Sequence, residues 1–188
     1  MTTTHFTLVL DASGSMGSKR DSTRASIIQL IHDQKKITGD DCTLRIISFA
    51  DNVVEIYNGP LENSVEQAIA ANYIPGGSTA LNDAVGFAID SNGKFFDKGN
   101  KFDNVLLVVI TDGGENVSKD YTTPQVKGMI EHQRDKYNWD IQYIGPEPDV
   151  AVHSYGVLRS ATTNYAGAQS AIATTSTYLA HKRKGATA

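Results

Sequence analysis

The sequence predicts an α/β fold of the doubly wound type, with a mostly parallel central sheet, one antiparallel edge strand and helices on both faces. Short apolar runs alternate with amphipathic segments along the chain, which is typical of a parallel sheet covered by helices. The run 105–110 (VLLVVI) is apolar at every position, as expected of a central strand buried on both faces. Asp51 and Asn52 leave so short a connection between two strand-like runs that we expect those strands to pair antiparallel.

The first half of the chain supplies three strands and three helices. An apolar, β-branched segment at 6–10 stops at a turn rich in serine and glycine, which predicts the first strand. Isoleucines that recur at helical spacing predict an amphipathic helix over about 19–37. Beyond a turn, we expect two more strands and two more helices, over residues 43–49, 53–57, 63–72 and 80–96.

The second half continues the same alternation after the strand at 105–110. Thr123 followed by Pro124 resembles a helix N-cap with proline at the first helical position, which predicts a helix that ends at about Tyr137. We then expect one strand and two C-terminal helices, over residues 139–144, 150–155 and 168–181.

Length and composition exclude several classes of protein. The 188 residues fit a single domain over 1–188, with a core at about 5–146 and a C-terminal helical segment at about 147–184. The formal net charge of −4 argues against a dedicated nucleic-acid binder. Cys42 is the single cysteine, which forbids an intrachain disulfide and a multi-cysteine zinc site. Neither a membrane-spanning run nor a signal-peptide pattern is present, so we expect a cytoplasmic protein without a membrane partner.

Three polar motifs lie at predicted strand ends or helix starts. Residues 11–16 (DASGSM) follow the first strand, residues 76–81 (GGSTAL) precede a helix, and residues 111–113 (TDG) follow the most buried strand. Ligands of doubly wound sheets bind beyond the carboxyl ends of the strands. The motifs offer two carboxylates and several hydroxyls without histidine or cysteine. Such a donor set suits Mg²⁺, Mn²⁺ or Ca²⁺ and not zinc.

These motifs resemble the metal-ion-dependent adhesion site of von Willebrand factor A domains, in the same order and spacing over about residues 6–145. The matching residues are Asp11, Ser13, Ser15, Thr79 and Asp112. Similar stand-alone A domains of bacteria and phages also carry Tyr-x-Pro-x-Gly before the threonine and Asp-Ala after it. This chain has YIPGG at 73–77 and DA at 83–84.

The resemblance implies a role for each residue. Ser13 and Ser15 would bind the metal through their hydroxyls, and Thr79 would do so directly or through water. Asp11 and Asp112 would act mainly through bound water or behind the direct ligands. The implied cofactor is Mg²⁺, with Mn²⁺ or Ca²⁺ as alternatives. The implied partner is a protein that presents Asp or Glu to the open position on the metal, such as an AAA+ ATPase or an assembly component.

The chain departs from the family pattern beside these positions. Gly114 stands where related stand-alone domains often have an acidic residue, and residues 145–149 (GPEPD) replace a Gly-Ala-Asn-like turn. Glu115 and Glu147 are candidates to line the rim of the site, but we expect both to be solvated turn residues. Asp83 lies in the first turn of a predicted helix, where its charge suits the helix dipole better than a ligand role.

The leading functional hypothesis is therefore a metal-dependent protein-interaction module and not an enzyme. The chain has no Gly-x-x-x-x-Gly-Lys-Ser/Thr phosphate loop and no Gly-x-Ser-x-Gly nucleophile elbow around Ser13 or Ser15. Two alternatives stay open. One is a structural or assembly role that uses the fold without metal, and the other is a small hydrolase in which Asp112 orients a metal-bound water.

Other residues with reactive side chains are expected to be structural. The five histidines, His5, His32, His132, His153 and His181, have no metal-ligand spacing. Cys42 and Trp139 lie at predicted strand starts and are expected to pack in the core. The basic run 181–184 (HKRK) ends the last predicted helix, where positive charge complements the helix dipole.

Overall fold

The computed structural model describes residues 2–62, 64–164 and 166–184, which form a six-stranded sheet with helices on both faces. The strands are β1 (Thr2–Asp11), β2 (Asp40–Phe49), β3 (Val53–Pro60), β4 (Asn104–Ile110), β5 (Asp140–Gly145) and β6 (Thr162–Asn164). The α-helices are α1 (Arg20–Lys35), α2 (Ser64–Asn72), α3 (Leu81–Asp97), α4 (Thr123–Tyr137), α5 (Pro148–Tyr155) and α6 (Ala168–Arg183). Two short 3-10 helices cover Gly14–Lys19 and Arg159–Ala161.

The sheet has the strand order β3-β2-β1-β4-β5-β6, in which β2 and β3 pair antiparallel and all other neighbours pair parallel. The predicted doubly wound fold with one antiparallel edge strand is confirmed. The chain leaves β1 toward β2 on one side and later forms β4 on the other side of β1. Strand order therefore reverses between β1 and β4, which is where such sheets form a ligand crevice.

Two apolar layers cover the sheet. Phe6, Leu8 and Leu10 of β1 pack against α1, α2 and α6, whereas Val9 faces the layer formed with α3, α4 and α5. This alternation follows from the two-residue period of a strand. Trp139 is buried against Phe96 in the second layer, which confirms the packing role expected for it. None of the described helices is long and apolar enough to cross a membrane.

Some element boundaries differ from the sequence-based ones. β6 is a short polar strand (TTN) beside β5, and it lacks the apolar alternation by which strands are recognised. Residues 14–19 form a 3-10 helix, so α1 begins at Arg20. Asn63, at which the sequence predicts the second helix to begin, lies outside the described residues.

The N-cap of α4 is Thr122 and not Thr123. The side-chain oxygen of Gln125 accepts a hydrogen bond from the Thr122 backbone N–H at 2.8 Å, which is half of a capping box. A threonine at either position satisfies the N-cap preference, so only the backbone geometry decides between them.

His5 is fully buried at the amino end of the sheet, and a packing role is confirmed for it. Its Nε2 lies 3.0 Å from Asn92 Oδ1 and its Nδ1 lies 2.8 Å from Thr43 Oγ1. Burial lowers the pKa of His5 to about 4, with the positive charge of Arg45 acting in the same direction. The ring is therefore neutral near pH 7.

The C-terminal end of α6 is anchored to the sheet by a buried ion pair. Arg183 donates to both carboxylate oxygens of Asp40 at 2.8 Å, and it also donates to the Gln34 backbone carbonyl at 2.7 Å. The Arg183 side chain is 3% exposed and that of Asp40 is 1% exposed. The basic run at 181–184 therefore does more than complement the helix dipole, because one member joins α6 to β2.

Arg183→Met should destabilise the fold by about 3–5 kcal/mol, because it leaves the buried carboxylate of Asp40 without its counter-ion. Urea unfolding followed by circular dichroism measures this change. Arg159→Met is the matched control, since Arg159 pairs with Asp149 at the surface and should change the unfolding free energy by less than about 0.5 kcal/mol. Equal losses in the two variants would contradict an anchoring role for Arg183.

Candidate metal centre

Four of the five residues that the sequence assigns to a metal site meet at the carboxyl ends of β1 and β4. The Asp11 Oδ1 atom accepts a hydrogen bond from the Ser13 backbone N–H at 2.7 Å. The Ser13 and Ser15 hydroxyl oxygens lie 3.0 Å apart, and Ser15 Oγ donates to Asp112 Oδ1 at 2.6 Å. These contacts form one continuous chain from Asp11 to Asp112 across the point where strand order reverses.

The direction of these hydrogen bonds leaves hydroxyl lone pairs available for a cation. A carboxylate can only accept, so the Ser15 hydroxyl hydrogen points at Asp112. The Ser13 hydroxyl must then be the donor in its contact with Ser15. Each hydroxyl oxygen retains at least one lone pair. Ser13 is also buried, with only 3% of its surface exposed.

Asp11 is a buried carboxylate that lacks a positively charged partner in the described part of the chain. It is 1% exposed, and its Oδ2 accepts a hydrogen bond from the Thr111 hydroxyl at 2.6 Å. None of the ion pairs between described residues includes Asp11. A buried carboxylate is costly unless a cation or several hydrogen-bond donors compensate it. The Ser13 N–H and the Thr111 hydroxyl compensate part of this cost, and a cation held beside Asp11 would compensate the rest.

Thr79, the fifth predicted residue, lies beside this chain and is not hydrogen-bonded to it. Its backbone N–H donates to Asn116 Oδ1 at 2.9 Å, and its carbonyl accepts the Asn116 N–H at 3.1 Å. Gly113 follows Asp112, and a Cβ atom added to Gly113 would lie 3.8 Å from Thr79 Oγ1. The Thr79 hydroxyl therefore faces the Asp112 end of the site, and no hydrogen bond among described residues occupies it.

The YIPGG motif holds the loop that carries the first motif in place. Tyr73 is fully buried, and its hydroxyl donates to the backbone carbonyl of Asp11 at 2.7 Å. The Gly14 N–H donates to the carbonyl of Gly77 at 2.9 Å. The two loops are thus joined at the back of the site, which fixes where the serine hydroxyls point.

Gly77 occupies a position that only glycine fits. Its φ is +80°, and a Cβ there would come within 2.2 Å of a carboxylate oxygen of Asp51. The same carboxylate accepts the Ser78 backbone N–H at 2.9 Å. Asp51 thus holds the start of the segment that leads to Thr79, a role that the sequence pattern did not indicate because Asp51 appears there only as a turn residue.

Glu115 is a structural carboxylate, so the expectation that it is solvated was wrong. Its Oε1 accepts the backbone N–H groups of Val117 and Ser118 at 2.9 and 2.8 Å. Its Oε2 accepts the Asn82 N–H at 2.7 Å, in the first turn of α3. The negative charge therefore lies at a helix N-terminus, where it is favourable, and it joins the loop after β4 to α3.

Asp83, in the first turn of α3, also accepts backbone N–H groups of this loop. Its Oδ1 accepts the N–H groups of Asp120 and Tyr121 at 2.9 Å, and its Oδ2 accepts that of Lys119 at 2.8 Å. Together with Glu115, it determines the path of the loop 115–121 in front of α3.

Lys19 is a member of the site that the sequence interpretation missed. Its ammonium forms an ion pair with Asp112 Oδ2, the carboxylate oxygen that Ser15 leaves free. The Lys19 side chain is 37% exposed and that of Asp112 is 6% exposed. The only sequence signal was a basic residue four positions after Ser15, on the same 3-10 helix.

An open cavity of about 560 Å³ lies beside the site, over the ends of β4 and β5. Asp112, Gly113, Tyr143, Glu147 and Tyr155 are among the residues that line it. Burial raises the pKa of Tyr143, and it raises that of Tyr155 to about 12, so both phenols stay protonated near neutral pH. The cavity gives a group from another molecule room to approach Asp112.

The sequence model of the von Willebrand factor type A domain matches residues 6–180. The chain belongs to this family. The search of curated proteins found no match to the sequence. Among the described residues, no three His, Cys, Asp or Glu side chains cluster, so a metal ion at this site would have to use hydroxyl oxygens as well as the two carboxylates.

Solved structures share the fold of this A domain at low sequence identity. Proximal thread matrix protein 1 from the mussel byssus, solved with a zinc-occupied MIDAS motif, aligns with a TM-score of 0.71 and 14% identity over 95% of this chain and 46% of its own. A von Willebrand factor type A protein from Catenulispora acidiphila gives 0.67 and 14%, covering 98% and 43%. The PilB minor pilin from Streptococcus sanguinis gives 0.64 and 15%, covering 96% and 61%. The chain thus spans less than two thirds of each of these structures.

Gly77→Ala should destabilise the domain by at least about 1–2 kcal/mol, because alanine is strained at positive φ and its Cβ meets the Asp51 carboxylate. Gly76→Ala is the control, since a Cβ there has no atom within 4 Å, and should change stability by less than about 1 kcal/mol. Urea unfolding of both variants tests the difference. Equal stability would show that the loop does not require glycine at 77.

Proposed function

We propose that this domain binds a divalent cation with Asp11, Ser13, Ser15, Thr79 and Asp112. Through that cation, it binds an acidic residue of a partner protein. The observation that carries the proposal is the hydrogen-bonded chain from Asp11 to Asp112, in which the buried Asp11 carboxylate has no ion-pair partner among the described residues.

The chemistry of the donors supports a hard divalent ion. Two carboxylates balance the charge of such an ion, and the neutral hydroxyls of Ser13, Ser15 and Thr79 add oxygen ligands without adding negative charge. When bound, the cation supplies a position at which a carboxylate from another protein can be ligated. The exposed side of Ser15 and the neighbouring cavity leave that position accessible.

The choice of ion follows from the ligands and from one structural relative. Oxygen donors favour Mg²⁺, with Mn²⁺ and Ca²⁺ as alternatives. The mussel byssus protein holds zinc at its MIDAS motif, so Zn²⁺ belongs among the ions to be compared. We propose Mg²⁺ as the resident ion of this chain.

We propose a binding role and not a catalytic one. Within the described residues that line the cavity beside Asp112, no histidine or cysteine is present, and the two tyrosines stay protonated near neutral pH. The lining thus supplies no imidazole or thiol to act as a general base or a nucleophile. Two of the structural relatives are described as a thread matrix protein and a minor pilin, which supports a partner within a larger protein assembly.

Asp11→Asn should weaken Mg²⁺ binding by at least about tenfold, because it removes one of the two charges that balance the ion. Isothermal calorimetry with Mg²⁺, Mn²⁺, Ca²⁺ and Zn²⁺ measures the affinity, and circular dichroism verifies folding. Asp21→Asn is the control, since the Asp21 side chain is 83% exposed on α1 and should leave the affinity unchanged. Equal heats for wild type and Asp11→Asn would disprove the metal site.

Partner binding should depend on the same ion. The immobilised domain, incubated with an extract of the source organism, should retain its partner with Mg²⁺, release it in EDTA and retain it again when Mg²⁺ is restored. The Asp11→Asn domain should capture much less under each condition, whereas Asp21→Asn should behave as wild type. A complex that is stable in EDTA would instead favour the metal-independent assembly role.

A further inference from the structure

The Lys19 ammonium forms an ion pair with Asp112, one of the two carboxylates that would balance the charge of a bound cation. We propose that the Lys19 ammonium is a tethered cation that competes with the divalent ion for Asp112 and thereby lowers the affinity of the site for metal. This inference rests on the proposed function, because it concerns the ion that the same five residues would bind.

Both oxygens of the Asp112 carboxylate are already engaged. Ser15 donates to Oδ1 at 2.6 Å, and the Lys19 ammonium pairs with Oδ2. The Asp112 side chain is 6% exposed, so few directions of approach to it remain besides the cavity. A divalent ion that uses Asp112, directly or through a bound water, would be repelled by the ammonium already paired with Oδ2. The ammonium carries the same sign of charge as the ion, so it is the partner that the ion would displace.

The chain holds Lys19 close to the site while leaving its side chain able to move away. The 3-10 helix Gly14–Lys19 is fixed by the buried Met16 and by the hydrogen bond from Gly14 to Gly77. The backbone carbonyl of Lys19 accepts the Ser22 hydroxyl at 2.8 Å, at the start of α1. The ammonium is carried on a flexible four-carbon stem and the Lys19 side chain is 37% exposed, so the ammonium can move into solvent without moving the backbone.

Exchange of the ammonium for a divalent ion removes the net negative charge that a partner meets. With Lys19 on Asp112, the carboxylates of Asp11 and Asp112 outweigh one ammonium, so the cluster carries one net negative charge. After the exchange, the divalent ion balances both carboxylates, and the displaced ammonium remains tethered beside the site as an additional positive charge. A carboxylate of a partner is repelled in the first state and attracted in the second. Lys19 thus makes acidic-partner binding conditional on the metal.

Lys19→Met tests the competition, since it keeps most of the stem and removes the charge. We expect it to bind Mg²⁺ about tenfold more tightly than wild type in calorimetry, the size of change that corresponds to about 1.4 kcal/mol. Lys19→Arg keeps the cation and should stay close to wild type. Lys36→Met is the charge-matched control, because Lys36 also pairs with an aspartate, Asp33, but on the remote surface of α1.

The outcomes separate this inference from the proposed function. Tighter binding in Lys19→Met, with no change in Lys36→Met, supports competition. Unchanged or weaker binding in Lys19→Met, while wild type binds Mg²⁺, overturns the competition and leaves the metal site intact. If neither protein binds any tested ion, the metal site itself is disproved and the competition with it.

A second measurement follows the lysine itself. Mass spectrometry after brief acetylation should show that saturating Mg²⁺ speeds modification of Lys19 several-fold in the wild-type protein and not in Asp11→Asn. Lys36 is the internal reference, and its modification should not respond to Mg²⁺. A Lys19 rate that is unchanged in metal-saturated protein would mean that the ammonium stays on Asp112, which overturns the exchange.

Discussion

The parallel pairing of β1 with β4 is the constraint on which the rest of the site depends. Leu10 lies opposite Ile110 in this pairing, so the next residues, Asp11 and Thr111, emerge side by side at the same edge of the sheet. The Thr111 hydroxyl then reaches the Asp11 carboxylate at 2.6 Å and closes the gap between the two strands. Because the strand order reverses here, the loops after β1 and β4 diverge and leave a crevice between them. A shift of one residue in the register would separate the carboxylate from the hydroxyl and dismantle the site.

Acidic side chains around the crevice perform two different functions. Asp51, Asp83 and Glu115 accept backbone N–H groups and hold three loop segments in defined conformations. Asp11 and Asp112 accept hydrogen bonds from hydroxyls, Asp11 also accepts the Ser13 backbone N–H, and Asp112 pairs with an ammonium. Short exposed loops bury little apolar surface, so the hydrogen bonds to Asp51, Asp83 and Glu115 hold them in place. The candidate ligands are therefore positioned before any ion binds. The second group keeps carboxylate charge available for a cation.

The two ends of the sheet are specialised for different tasks. The carboxyl end carries the candidate metal centre, where polar groups face solvent and a cavity. The amino end carries structural polar contacts, among them the buried pair of Arg183 with Asp40 and the contact of His5 with Asn92. These four buried side chains are tolerated because each of them has its partner. The contacts of Arg183 and His5 lie apart from the candidate metal centre, so substitutions at Arg183 or His5 should leave its donor set unchanged.

The doubly wound fold and the five candidate ligand residues can be predicted from the sequence alone. Apolar periodicity and the motifs at 11–16, 76–81 and 111–113 are local signals, and a parallel sheet brings the ends of its strands together. Which side chains pair at those strand ends is visible only in the folded chain. Lys19 meets Asp112 across 93 positions, and Glu115 meets the start of α3 across 33. The polar strand β6 is recognised only by its pairing with β5, and the N-cap Thr122 only by the backbone geometry at the start of α4. Charge pairing between distant segments leaves no periodic trace in a sequence, because any of the many charged residues could supply the partner until the fold fixes the distances.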